Sequence, residues 1–383
     1  MTSSIKVLKF GGTSVADTAA FERAARIVHG CDAPVVVVVS AMSGVTDALI
    51  KSIRTAASGG TAAAIASLEE HFARHLDVAQ SLRPKALAQC RTLIAGARDE
   101  ISELLTHGSG DLRIQDAITS YGEILCASLF RLILEHHGVP ASYVDARRCI
   151  LTNGEHGNAT PLIDEVNLQT AAELKPLLEA KMVPVLGGFI GATTRGVTTT
   201  LGRGSSDYTA TLIGAALQAA EIQIWTDVDG VQTANPNLVT ATRTVPMLSY
   251  EEAKELAALG ARVMHPKMID PVVEANIPIW IRNSRVPEQS GTLICAQSGP
   301  PNGIVKAIAH SARVVACVGD GLSNGTQGAA RVRQVLREMD PSLKWQSTSA
   351  SNLITIVEAD GVPTLVRRLH ERLFESQSVF QTA

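Results

Sequence analysis

The chain has 383 residues, a length that suggests two or three domains, and 45% of them are hydrophobic, enough for a substantial core. Its formal net charge is −3 with both signs spread along the chain, and aromatics are only 4%, a balance that fits neither a nucleic-acid nor an anionic-membrane binder. The six cysteines are scattered without C-x-x-C, and neither a basic-then-apolar leader nor a purely apolar run near membrane-span length is present, so a soluble cytoplasmic protein with reduced thiols is expected.

"IKVLKF" alternates and ends at Gly11-Gly12, predicting a strand that runs into a glycine loop. Ser14 and Asp17 stand at capping-box spacing before a helical segment with Phe21, Ala24, Ala25 and Val28 on one face. "PVVVVVSAM" is β-branched on both faces, as a buried parallel strand would be, and it too ends in a small-residue loop. Residues 61 to 137 read as mostly helical, with the histidines at 136 and 137 closing a helix before Gly138. Strands follow at "ASYVDA", "VPVLGGFIGA", "EIQIWTDVDG" and "IPIWIRNS". Ser249 and Glu252 predict a capping box for a helix that Pro266 interrupts, and His265 reads as structural.

The alternation of strands and helices predicts a three-layer α/β domain over residues 1–296. "SGPPNG" (298–303) is the best linker. After it the order reads strand (305–320), helix (328–339), strands "LKWQSTS" and "NLITIVEA", and helix (362–374), close to one βαββα unit of ferredoxin-like type over 304–383.

Four stretches carry chemistry. In "KFGGTS" the glycines can turn backbone N–H groups towards a phosphate and Lys9 can add a full charge; the alternative is a solvent-facing lysine before an ordinary turn. The P-loop pattern G-x-x-x-x-G-K-[ST] is absent here. In "TTTLGRGSSDYTA" Arg203 can clamp a carboxylate, while Ser206 and Asp207 either cap the next helix or face a ligand. Glu123 sits on an apolar helix and must reach a partner or a cleft, unless it lies on an exposed stripe. "IWTDVDG" ends a strand at Thr226-Asp227 in a loop that can border a nucleotide or be a plain turn.

Together, "KFGGTSVAD", "VVSAMSGVTD", "SYGEILCA", "GGFIGAT", "TTTLGRGSSDYTA", "WTDVDGV" and "LGARVMHP" resemble the aspartate kinases of the amino-acid kinase family, motif by motif and in the family's order. The resemblance implies a three-layer fold with an open, mainly parallel sheet. It also implies ATP and Mg²⁺, and L-aspartate phosphorylated on its β-carboxylate at the head of lysine, threonine and methionine synthesis. Carried over residue by residue, Lys9, Phe10, Gly11, Gly12 and Ser40 fall on the phosphate side, with Lys9 and Asp207 at the catalytic positions. Thr46, Glu123, Arg203 and Ser206 fall on substrate positions, and Thr226, Asp227, Gln232, Asn237, Arg262 and Val263 on nucleotide positions; no residue is assigned to a metal.

The chain departs from the family at Ser205, where a second glycine is usual and crowding of the substrate loop is expected. Gln232, Asn235, Asn237 and Arg262 depart on the nucleotide side. Where the family carries two interleaved ACT modules, one module's worth follows the linker, which implies a homodimer through that ACT-like region. Two other readings stand beside aspartate kinase. One is a relative acting on an aspartate analogue in a secondary pathway; the other is a weakly active regulatory amino-acid-binding protein.

Overall fold

The computed structural model describes residues 4–108, 110–260, 266–296, 304–323 and 327–375. The expectations for Arg262, Val263, His265 and the 298–303 linker fall outside the described residues. The chain packs as two compact units, Met1–Asp227 with Asp270–Ile277 and Asn283–Pro287, and Val228–Ile269 with Pro278–Arg282 and Glu288–Ala383.

The first unit begins with β1 (Lys6–Phe10), α1 (Thr18–His29), β2 (Val35–Val39) and α2 (Val45–Ala57). Four helices follow: α3 (Thr61–Ala66), α4 (Glu69–Ala79), α5 (Pro84–Gly108) and α6 (Leu112–His136). Next come β3 (Ala141–Tyr143), β4 (Leu151–Thr152), α7 (Ile163–Glu179) and β5 (Val183–Gly187). The hairpin β6 (Ile190–Thr193) and β7 (Thr198–Thr200) leads to α8 (Ser206–Ala216) and β8 (Glu221–Thr226).

Five of these strands pair in parallel in the order β3-β5-β2-β1-β8. All five valines of β2 are buried, as a strand covered on both faces requires. Helices α1 and α6 pack on one face, where Phe10 meets Phe130 edge-on at 5.6 Å between ring centres. Helices α7 and α8 cover the other face, which completes three layers. Successive side chains on β1 point to opposite faces, so the register that sends Phe10 towards α6 sends Lys9 towards α8. Strands β4, β6 and β7 form a separate small sheet.

Helix α6 has the length and apolar composition of a membrane span, yet 78% of its most apolar stretch is buried inside the fold. It is a core helix.

The second unit holds β9 (Met247–Ser249), α9 (Tyr250–Ala258), β10 (Ile279–Asn283) except its last residue, and β11 (Thr292–Cys295). The short α10 (Asp270–Val273) lies between α9 and β10 in the chain and packs with the first unit. Strand β11 runs antiparallel to β10 and parallel to β9. The C-terminal part contains β12 (Ala307–His310), β13 (Val314–Val318), α11 (Gln327–Met339), β14 (Asn352–Ile356) and α12 (Val362–His370). Its sheet is antiparallel in the order β12-β13-β14.

Several local expectations are corrected. Asp17, not Ser14, caps α1: its carboxylate accepts from the Ala20 N–H at 2.8 Å. Ser14 lies in a 3₁₀ turn, and its hydroxyl donates to the Trp225 carbonyl at 3.2 Å. The capping box of Ser249 and Glu252 forms as expected, but α9 already ends at Ala258, well before Pro266. The run 305–320 is two strands, because the exposed Ser311, Ala312 and Arg313 make a turn closed by the Ser311 N–H on the Val314 carbonyl at 3.0 Å. "LKWQSTS" pairs only at Gln346 with Ile354, although its alternate residues Leu343 and Trp345 pack half-buried against the C-terminal core. The order is therefore ββαβα rather than βαββα.

Candidate active site

Lys9 is buried to 7% exposure near the end of β1. Its Nζ stands 2.5 Å from Oδ1 of Asp207, in the first turn of α8. A buried cation needs such a partner, and the N-terminus of α8 favours an acidic residue there. Lys9 and Asp207 thus form one unit at the carboxyl end of the central strand.

The loops beyond β1, β2 and β5 approach each other closely. A Cβ on Gly12 would lie 2.8 Å from the Ala41 carbonyl oxygen, and one on Gly188 would lie 2.6 Å from Cβ of Ser206. Only glycine permits both approaches. They bound a cleft of about 240 Å³ lined by Gly12, Ser40, Thr46, Glu123, Arg203 and Ser206, together with Ala41–Gly44, Asp47, Phe189 and Gly204. All four predicted substrate residues therefore meet on one cavity, joined by Gly12 and Ser40 from the predicted phosphate side. It opens at the carboxyl ends of parallel strands, the usual place for a ligand in an open α/β sheet.

Glu123 is the most constrained group there. It is 3% exposed, its Oε1 accepts from the Ala41 N–H at 3.2 Å, and its Oε2 has no hydrogen-bond partner. Burial pushes its carboxyl up to about 8, against smaller opposing effects from the Ala41 N–H and the Lys9 charge. A buried carboxyl with an open oxygen on a cavity is built to receive a donor, above all a cation. Arg203 sits differently: 71% of its side chain is exposed, and its guanidinium pairs with the equally exposed Asp47. An exposed ion pair of this kind is worth about 0–1 kcal/mol, so a ligand carboxylate can replace Asp47 at small cost.

Other predicted residues lie elsewhere. The Phe10 ring is fully buried in the core, stacked 6.4 Å from Trp225, so only its backbone faces the loops. The Gly11 N–H is engaged by the Trp225 carbonyl at 2.9 Å. Thr226 and the exposed Asp227 end β8, with the Thr226 carbonyl held by Ser284 N–H at 2.8 Å. Gln232 and Asn237 belong to the second unit: Gln232 donates to Thr244 Oγ1 at 3.0 Å, and Asn237 N–H donates to Asn235 Oδ1 at 3.0 Å.

Ser205 does not crowd the cleft. It is fully buried, and its hydroxyl donates to the Gly202 carbonyl at 2.6 Å, closing its own loop from behind.

Three contributors were not singled out from the sequence. Asp47 follows "SGVT" and gave no sign that it would meet Arg203. Phe189 lines the cleft with φ of 67°, a left-handed conformation that strains an aromatic residue and is held by Thr209 Oγ1 accepting its N–H at 3.0 Å. Asp116, seven residues before Glu123, is buried among four hydrogen bonds.

The model of the family described as "Amino acid kinase family" matches residues 4–283. The chain belongs to that family. It is 37% identical over 309 residues to the lysine-sensitive aspartokinase 3 of Escherichia coli, covering 78% of this chain and 66% of that one. It is 32% identical over 363 residues to the aspartokinase of Chlamydia pneumoniae, covering 93% and 78%. The crystal structure of E. coli aspartokinase III in complex with aspartate and ADP (R-state) superposes with a TM-score of 0.84 at 27% identity, covering 97% of this chain and all of that one. This chain therefore spans just under two thirds of the length of the E. coli lysine-sensitive relative.

The raised carboxyl of Glu123 makes stability depend on pH. Unfolded, it titrates near 4.5, and folded, near 8, so between these values the unfolded chain has lost a proton that the folded chain keeps. Raising pH through that window then favours unfolding. The stability of Glu123→Gln relative to the parent should rise by roughly 2–4 kcal/mol between pH 5 and pH 8. Urea unfolding at both pH values checks this, and parallel profiles for the two proteins would contradict the assignment.

Proposed function

We propose that this chain transfers the γ-phosphoryl group of ATP to the β-carboxylate of L-aspartate, giving 4-phospho-L-aspartate, and that it does so in the cytoplasm. The observation that carries the reading is the open, buried oxygen of Glu123 on the same cleft as Arg203. One carboxylate and one guanidinium on a single cavity suit the two charges of an α-amino acid. Family membership and the aspartate-bound E. coli relative support the choice of amino acid. The free cysteines suit a reducing compartment.

In this reading Glu123 receives the ammonium, Arg203 exchanges Asp47 for the α-carboxylate, and Thr46 and Ser206 offer hydroxyls to the rest of the substrate. The β-carboxylate is ionised at neutral pH, so its attack on phosphorus needs no general base; a new O–P bond forms as the bond to ADP breaks. Catalysis is then alignment and charge neutralisation. Lys9, placed by Asp207, meets the negative charge of the transferring group, and the tight backbone at Gly12 lets phosphate oxygens come close.

Among the described residues no three His, Cys, Asp or Glu side chains are grouped to hold a metal. The donor set thus fits Mg²⁺ carried mainly on the nucleotide's own phosphates, where it would neutralise their charge.

An ATP-dependent hydroxamate assay over a panel of amino acids tests the reaction. Aspartate should be the preferred acceptor, and Lys9→Met should retain less than about a hundredth of parental turnover while staying folded. Preference for an aspartate analogue would move the chain to secondary metabolism, and no acceptor at all would leave only a binding role.

Protonation supplies a second test. An ammonium beside Glu123 favours its ionised form, so binding below pH 8 releases a proton and aspartate affinity should rise from pH 6 to pH 8. Calorimetric titration of the parent should show this rise, and Glu123→Gln should bind weakly with no such slope. A flat parental profile would remove Glu123 from the ammonium site.

We also infer that the ACT-like region from residue 304 onward joins two copies into a homodimer. Strand β14 is covered on its outer side only by the bridge from Gln346 to Ile354 among the described residues of the region, and Ile356 beside it is 70% exposed. Light scattering at micromolar concentration should give the dimer mass, and Ile356→Lys should lower it to the monomer's. A monomeric parent would rule the assembly out.

A further inference from the structure

Asp116 lies on α6, is 2% exposed and does not line the cleft around Glu123. Its Oδ1 accepts from the Thr200 hydroxyl at 2.6 Å, and the Gly157 N–H reaches both oxygens at 3.1 and 3.0 Å. Nδ1 of His156 lies 2.9 Å from Oδ2. One carboxylate therefore gathers α6, the 156–157 turn and the end of β7. With its acceptor sites occupied by these anchors, it has little left to offer a ligand.

The anchored points are the base of the Arg203 loop. Thr200 is three residues before Arg203, and its carbonyl accepts from the Ala159 N–H at 2.8 Å, which ties the loop again to the 156–160 segment. Leu201 N–H donates to the Phe189 carbonyl at 2.9 Å, and a Cβ on Gly202 would lie 2.9 Å from Oδ1 of Asn158. At its tip, by contrast, Arg203 has among the described residues only the exposed pairing with Asp47. The direction of the guanidinium is thus set from below rather than by packing around it. Asp116, Thr200, Gly157, Phe189 and Arg203 also share the wall of a second cleft of about 390 Å³, so a loosened loop has space to move into.

We propose that Asp116 is a positioning residue for the amino-acid substrate: it fixes the base of the β7–α8 loop and thereby holds Arg203 where the α-carboxylate must dock. The inference rests on the substrate role given to Arg203 above. Without the carboxylate, the Thr200 hydroxyl and the Gly157 N–H lose their common acceptor and the loop base comes apart. Misplacing a binding group by about an ångström can cost up to roughly 100-fold. The loss should appear in the amino-acid substrate and not in the nucleotide, because Lys9 and the Gly12 loop are held independently of Asp116.

The test is a double-mutant cycle on initial rates, with folding checked by circular dichroism. Asp116→Asn keeps the size but sets an amide NH₂ against the Gly157 N–H or His156. It should raise KM for aspartate about 10- to 100-fold and change KM for ATP by less than about twofold. In an Arg203→Ala background the same substitution should add less than about twofold, since the group that it positions is gone. Full additivity of the two substitutions, or an equal rise in KM for ATP, would overturn the proposal. Thr200→Val removes one anchor and leaves Asp116 in place, so it carries the same cycle if Asp116→Asn does not fold. It should then give a smaller rise for aspartate that Arg203→Ala likewise absorbs. If Arg203→Ala alone leaves KM for aspartate unchanged, the substrate reading fails instead. The anchor is then judged by the same non-additivity with whichever amino acid the hydroxamate panel accepts.

Discussion

A positive charge stands at the end of the central strand, and much of the first unit follows from how that charge is housed. Lys9 faces the α8 layer because Phe10, its neighbour on a two-residue repeat, is locked into the α1 and α6 layer by Phe130 and Trp225. A strand covered on both faces offers an ammonium little water, and Asp207 supplies the compensating charge at 2.5 Å. That requirement brings the start of α8 to the strand end. With it come Ser206 and the loop that carries Arg203, both of which line the cleft.

The second constraint is steric. Phosphate chemistry needs backbone close to its ligand, and the three loops at the strand ends approach within distances that any Cβ at Gly12 or Gly188 would violate. Glu123 is buried by the same closeness: a Cβ on Gly187 would stand 2.8 Å from its own Cβ. The tightness that shapes the cleft therefore also lifts the Glu123 carboxyl to about 8, because water that would solvate its charge is excluded. An open acceptor at that energetic cost is what a site for a cationic group requires. Strain in Phe189 belongs to the same economy of space, its left-handed backbone turning the chain between β5 and β6 beside the cavity.

Much of this is legible in the sequence. The valines of β2 announced a strand buried on both faces, the glycine pairs marked strand ends, and seven separated motifs in order carried the family. The misreadings have local causes. Ser14 and Asp17 both have capping chemistry, and only the meeting of Ser14 with Trp225 and Ser284 assigns the cap to Asp17. The 305–320 run is apolar at both ends, and three exposed residues suffice to fold it into a hairpin. Ser205 looked like an obstruction because its side-chain direction is a tertiary fact; the hydroxyl turns inward to Gly202.

Periodicity and turn residues by themselves determined the layered α/β class and the loops that bear charge, because these depend on chain-local geometry, and the ordered motifs pointed through the family resemblance to Gly12, Ser40, Thr46, Glu123, Arg203 and Ser206. Which of those residues meet was decided only by tertiary structure. Glu123 read equally well as a residue on an exposed stripe until α6 was placed against the β2–α2 loop, and burial alone changed its protonation. Asp47 and Arg203 are separated by 156 residues, and Asp116 and Thr200 by 84. No local pattern encodes pairs at such separations, since their contact energy exists only once the sheet has brought the two segments together.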